Sequence, residues 1–215
     1  MVILGIDPGF GRIGYGLIEY KNNKYKVIEY GCITTQENSY FPKRLNKIEE
    51  DLESILDRYP NIDSASIEDL YFNTNITTGI KVAEARGVII NSISKRGIDI
   101  YEYTPIQAKQ AVAGYGRATK SQVMDMIKKH LKMENMPKLD DTADALALAI
   151  CHTQYNRFTT FTGTDKSKKQ SKTAIELAYE NELKKDKKQD KKRADMIKKA
   201  LEKETKLEKI AKGRK

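Results

Sequence analysis

Four acidic residues sit where elements of secondary structure begin or end. Asp7 closes the stretch "VILGID", Glu68 closes "SASIE", and Asp141 and Asp144 stand three residues apart at the head of "KLDDTADALALAICH". On a helix, that spacing puts both aspartates on one face. Eight of the nine residues from Ala143 to Cys151 are Ala, Leu, Ile or Cys, so the helix is bound for the interior and its acidic head needs a reason. Brought to one place, four carboxylates repel strongly: at ~4 Å and an effective dielectric near 20, each ionised pair costs roughly 4 kcal/mol. Such a cluster binds protons or it binds cations. Mg²⁺ takes carboxylate oxygens and water, and two ions would neutralise four carboxylates while leaving positions open for a phosphodiester. Each acid also has a plainer use. Asp140 reads as a helix cap or dipole partner, Asp7 before Pro8 and Gly9 serves a turn equally well, and Glu68 is followed by a second acid, Asp69. The reading of a two-metal phosphodiester hydrolase rests on the four together.

For these acids to meet, the strands ending at Asp7 and Glu68 must be parallel neighbours. The sequence allows it. "VILGI" is a continuous apolar run fit for a strand buried on both faces, and "IGYGLIEY" and "YKVIEYGCITT", separated by "KNNK", form a hairpin signal. From Pro42 to Tyr59, Leu45, Ile48, Leu52, Ile55 and Leu56 recur at helical spacing. The span from Ile76 to Lys95 is apolar on several sides, which calls for cover on more than one face and suits a subunit contact. "IDIYEYTP" reads as a strand, "PIQAKQAVAG" as a short helix, "YGRATK" as a loop, and Lys120 to Leu131 as a helix; the acid-headed helix closes the domain near Arg157. Strands first paired as hairpins and then alternating with helices predict an α/β domain: one mixed five-stranded sheet with helices on both faces.

The net charge of +9 lies wholly in the tail. Residues 1–158 hold 20 Lys and Arg against 20 Asp and Glu, and residues 159–215 hold 19 against 10. The expectation is a nuclease domain over 1–158 and a Lys-rich, disordered or partly helical extension over 159–215, too poor in apolar residues to offset its ordering entropy. Cys32 and Cys151 form no CxxC pair, which fits a reducing compartment. "MVILGIDPG" meets an aspartate and a proline too soon for a signal peptide, and no apolar run nears the ~18 residues of a membrane span. A soluble cytoplasmic protein with no membrane contact is expected.

Cations accompany the acids. Lys109 and Lys120 flank "GYGR", which ends in Arg117 and whose glycines admit a close approach of a nucleic-acid backbone, and a lysine beside a scissile phosphate stabilises the extra charge of the transition state. Lys81 and Arg86 are further candidates for contacts to that backbone. "LYFNTNITTG" follows Glu68, and Tyr71 there either stacks on an unpaired base or packs into the core, while Phe72 reads as core. His152, on the last turn of the apolar helix, reads as structural, and His130, amid lysines, as surface.

Taken in order, "LGIDPG" with "GYG", "IED", "AEARG", "EYTP", "KQAVAGYGRATKSQV" and "DDTADALALAICH" resemble the RuvC family of Holliday-junction resolvases over roughly residues 1–155. The resemblance implies a ribonuclease-H-like fold, a homodimer, and Mg²⁺-dependent symmetric nicking of four-way DNA junctions during recombination and repair, with two ions per subunit and Mn²⁺ as a substitute. It carries the metal-binding acids onto Asp7, Glu68, Asp141 and Asp144, with Asp140 an extra neighbour. It also assigns Lys109 and Lys120 to the reacting phosphate, Tyr71 to a position that is usually Phe, and the branch-migration proteins RuvA and RuvB as partners. The chain departs from the family at "FGRI", where Arg and Thr commonly precede "GYG", and in its long tail. Two other classes stay open from sequence: a noncatalytic junction-binding protein, and a ribonuclease-H-like enzyme acting on RNA. An ATPase of similar strand pattern would need a second phosphate-binding Asp-Gly motif, and the sequence has none.

Overall fold

In the computed structural model, which describes residues 1–70, 76–135, 137 and 139–161, strand β1 (Val2–Asp7) runs antiparallel to β2 (Arg12–Lys21), and β2 to β3 (Lys24–Thr34). Asn22 and Asn23 both adopt positive φ between them, the mirror-image turn whose twist matches that of the flanking strands. The other edge of β1 pairs in parallel with β4 (Ser64–Glu68), and β4 with β5 (Asp99–Tyr103), giving the order β3-β2-β1-β4-β5. The helices are α1 (Phe41–Arg58), α2 (Ile76–Lys95), α3 (Pro105–Ala113), α4 (Lys120–Leu131) and α5 (Asp140–Phe161). The mixed sheet and the run of elements agree with the sequence reading. α5 continues to Phe161, past the expected boundary at 158, while Tyr71, Phe72 and residues 162–215 lie outside the described residues. None of the helices among the described residues is long and apolar enough to cross a membrane.

The period-two alternation of β1 divides the core. Leu4 and Ile6 pack on one face with Ile48, Leu52 and Leu56 of α1 and Ala85, Ile89 and Ile93 of α2. Ile3 packs on the other face with Val123, Ile127 and Leu131 of α4 and Leu146 and Ile150 of α5. By the same alternation Gly5 and Asp7 belong to the α5 face. His130, expected at the surface, is half-buried: its Nε2 lies 3.0 Å from the Val112 carbonyl, and its ring meets Tyr25 edge-on.

α5 lies unusually close to the sheet because the strands beneath it carry glycine. A Cβ at Gly5 would stand 2.0 Å from the Ala145 carbonyl oxygen, and one at Gly14 would stand 1.9 Å from that of Asp141. Only hydrogen fits at either position, the close backbone approach that glycine in a strand interior often marks. Thr142 Oγ1 donates to the Gly31 carbonyl at 3.0 Å and ties the first turn of α5 to β3. Gly14→Ala is therefore expected to push the acidic head of α5 off β2. Urea unfolding should show a loss of about 1–3 kcal/mol, and a variant as stable as the parent would contradict this packing account.

Candidate active site

The parallel pairing of Ile3 to Ile6 with Ser64 to Ile67 aligns the ends of β1 and β4 and sets Asp7 beside Glu68. The two carboxyl groups share a hydrogen bond, and the first turn of α5 brings Asp141 and Asp144 close enough for their charges to act on Asp7. Burial first, then the charge and hydrogen bond of Glu68, then Asp144 and Asp141, push the Asp7 carboxyl up to about 9. Burial also raises Glu68, with Asp144 and Asp69 adding to it and the hydrogen bond from Asp7 and the charge of Lys109 opposing. Burial raises Asp144 against the pull of Lys120 and Lys109, with Asp140 and Asp141 adding to the rise. Desolvation and like charge act in the same direction.

Cations ring this cluster. Arg12, the first residue of β2, places Nε 3.0 Å from Asp141 Oδ2; Lys120 Nζ lies 3.0 Å from Asp140 Oδ2 and 3.7 Å from Asp144 Oδ2. Lys120 opens α4 directly after the Thr119 cap, whose side chain accepts from the Gln122 amide while Gln122 reaches back. Thr104 and Gln107 cap α3 in the same way, and α3 carries the half-buried Lys109. A cavity of about 230 Å³ joins these parts, with Glu68, Asp144, Lys109 and Lys120 among its polar lining and Ala108, Val123 and Leu148 among its apolar lining.

The remaining sequence candidates separate. Arg117 is exposed on the loop between α3 and α4. Lys81 is exposed on α2 with Nζ over the rings of Phe10 and Phe41, at 5.7 and 5.8 Å. Arg86, expected as a DNA contact, has a side chain only 6% exposed: its guanidinium ion-pairs with Glu102 at 2.7 Å and its Nε donates to the Glu68 carbonyl at 3.4 Å. Its place is under the sheet, supporting the strand end that carries Glu68. His152 is buried, with Nδ1 2.8 Å from the Tyr103 hydroxyl, and burial pushes its imidazole down to about 4; it lies with the tyrosines of β5. Tyr71 falls outside the described residues. The role of Arg12 was not legible in sequence. That of the glycines could have been, since Gly14 and Gly16 stand two apart on one strand face.

The family model described as crossover junction endodeoxyribonuclease RuvC matches residues 3–152. The chain belongs to the RuvC family. It is 52% identical over 157 residues to the enzyme of that name from Petrotoga mobilis, covering 73% of this chain and 96% of that one. It is 49% identical over 157 residues to that of Clostridioides difficile, covering 73% and 92%. Among solved structures, Thermus thermophilus RuvC in complex with a Holliday junction substrate superposes with a TM-score of 0.71 at 30% identity, covering 74% of this chain and 97% of that one. The fold is thus the ribonuclease-H-like fold of the RuvC resolvases, a family of divalent-metal-dependent nucleases.

The acids suit such an ion. All four side chains are carboxylates, the ligands that hard divalent cations prefer. Asp141 Oδ2 is buried and accepts no hydrogen bond, Arg12 meeting it only as an ion pair. Asp7 and Glu68 are pressed close enough to share a proton, which a cation of higher charge would replace. Among the described residues, no three His, Cys, Asp or Glu side chains stand in a geometry that would hold an ion as they are; Arg12 and Lys120 lie against oxygens of the α5 acids.

The raised Asp7 carboxyl has a consequence for stability. Asp7 ionises near 3.8 in the unfolded chain and near 9 in the folded one, so folding takes up a proton between those values and stability falls as pH rises through that window. In EDTA, the melting temperature should drop by roughly 5 °C or more between pH 5 and pH 8. Asp7→Asn should flatten that slope and melt higher at pH 8. Parallel slopes in the two proteins would show that Asp7 is not buried against its neighbours.

Proposed function

We propose that this RuvC-family chain resolves Holliday junctions by hydrolysing one phosphodiester in each of two opposed strands, with Asp7, Glu68, Asp141 and Asp144 holding two divalent ions, Mg²⁺ or Mn²⁺. The observation that carries the reading is the convergence of these acids, from β1, β4 and α5, beside a cavity that Lys109 and Lys120 also line. Bound ions would supply Lewis acidity to the phosphate and a more acidic water. Water attacks phosphorus in line, the bond to the 3′ oxygen breaks, and that oxygen takes a proton, leaving 5′-phosphate and 3′-hydroxyl ends. Lys109 and Lys120 face the charge that develops on the phosphate.

Lys81 and Arg117 hold the DNA backbone away from the reaction, and Tyr71 stacks on a base opened at the crossover. Arg86 instead steadies Glu68 from beneath. Two copies of the chain, each cutting one strand, suit a substrate of two-fold symmetry, and Ile80, 53% exposed on α2, fits a subunit contact. RuvA and RuvB are the partners that family membership suggests, and the cytoplasm is the compartment. Residues 159–215 form a basic extension that adds sequence-independent affinity.

The test incubates the protein with a mobile four-way junction, a linear duplex and an RNA hairpin, each with Mg²⁺ or EDTA. Paired opposed nicks in the junction alone, lost in EDTA, are expected. Asp7→Asn should abolish cutting with junction affinity unchanged within about threefold, and Lys120→Ala should slow cutting by about 10²-fold. Cutting by Asp7→Asn at the parent rate would remove the carboxylates from the chemistry.

A further inference from the structure

Arg12 is the cation of the site that the sequence reading did not use. Its backbone is held on a pinned loop. Thr35 Oγ1 donates to the Phe10 carbonyl at 2.6 Å and the Thr35 amide donates to the Gly11 carbonyl at 3.0 Å. The buried Arg44 contributes a further hydrogen bond to the Phe10 carbonyl at 3.0 Å and another to Thr35 Oγ1 at 2.8 Å. From this fixed base the Arg12 side chain, 58% exposed, reaches Asp141, 26% exposed. The contact is one of charge alone: Nε stands 3.0 Å from an oxygen that is buried yet accepts no hydrogen bond. A half-exposed guanidinium loses little by leaving such a pair, whereas a phosphate offers it two parallel hydrogen bonds.

We propose that Arg12 is a resident counter-ion of Asp141 that competes with the divalent cation for that carboxylate and is drawn off it by the DNA backbone, so that junction binding readies the site for its metal. The inference rests on the reading of Asp141 as a metal ligand. While Arg12 sits on Asp141, the α5 side of the cluster is part-neutralised and its cation affinity is lowered. Once a phosphate takes the guanidinium, the oxygen is free for the ion. Metal and DNA then favour one another's binding, and by linkage each strengthens the other equally.

Two measurements test this without cleavage, on the full chain as parent, Arg12→Gln, Arg12→Lys and Asp141→Asn, with circular dichroism melts to check folding. Titration with Mn²⁺ in the absence of DNA, read by the electron paramagnetic resonance of the free ion, should give a Kd lower by roughly 3- to 10-fold for Arg12→Gln, the order expected from removing one nearby unit charge. Arg12→Lys, which keeps the charge but loses the fork, should fall between, and still tests the idea if Arg12→Gln folds poorly. Junction binding in EDTA, followed by fluorescence anisotropy, should weaken several-fold for Arg12→Gln, and its salt dependence should lose a slope of about one. An unchanged or weaker Mn²⁺ affinity in Arg12→Gln, with affinity lost in Asp141→Asn, would overturn the inference and leave the carboxylate reading intact. Parent-like Mn²⁺ binding by Asp141→Asn would remove Asp141 from the metal shell and the inference with it.

Discussion

The approach of α5 to the sheet is the constraint on which the site depends. Two of the four acids ride on that helix and two on strand ends, so their meeting is a question of how near a helix can lie to β1 and β2. With a Cβ at Gly5 or Gly14 the helix backbone would have to retreat, because the atoms in its way are carbonyl oxygens 2.0 and 1.9 Å off. Glycine at these points converts ordinary helix-on-sheet packing into a near contact of backbones, and the apolar length of α5, anchored by Leu146 and Ile150, holds it there. A helix that is buried from Ala145 to Thr153 but acidic at its head follows from this: the body is bound to the core, and the head overhangs the strand ends.

Gathering like charges in a partly buried place opposes folding, and the molecule answers in three ways. Burial and the neighbouring Glu68 raise the Asp7 carboxyl, so that it keeps its proton. Arg12 and Lys120 lie against the α5 acids as ion-pair partners. The positive end of the α5 backbone dipole favours Asp140 and Asp141 in its first turn. None of these fully satisfies the cluster, as the unbonded Asp141 oxygen illustrates. A multivalent cation would relieve that residual tension.

Support for the site comes from residues outside the acidic cluster. Arg86 reaches from α2 to the carbonyl of Glu68 and to Glu102, and so fixes the end of β4 from the face opposite the acids. Paired Thr and Gln caps set where α3 and α4 begin, and with that the positions of Lys109 and Lys120. Such positions are set by buried polar contacts and helix termini, which tolerate less drift than an exposed loop.

Period and punctuation alone determined much of this protein. The apolar run before Asp7, the Asn-Asn turn, the helical spacing in α1 and the acidic head of α5 are local signals, and each led to the element found. The order of motifs was specific enough to indicate the family, because a collinear set of short matches seldom arises by chance. What no local signal carried was which side chains face one another. Arg86 resembles any surface arginine until α2 is laid under β4 and β5, and Arg12 looks unrelated to Asp141 until β2 and α5 are stacked through Gly14. Burial and ion pairing are properties of two segments at once, and only the tertiary structure brings distant segments together.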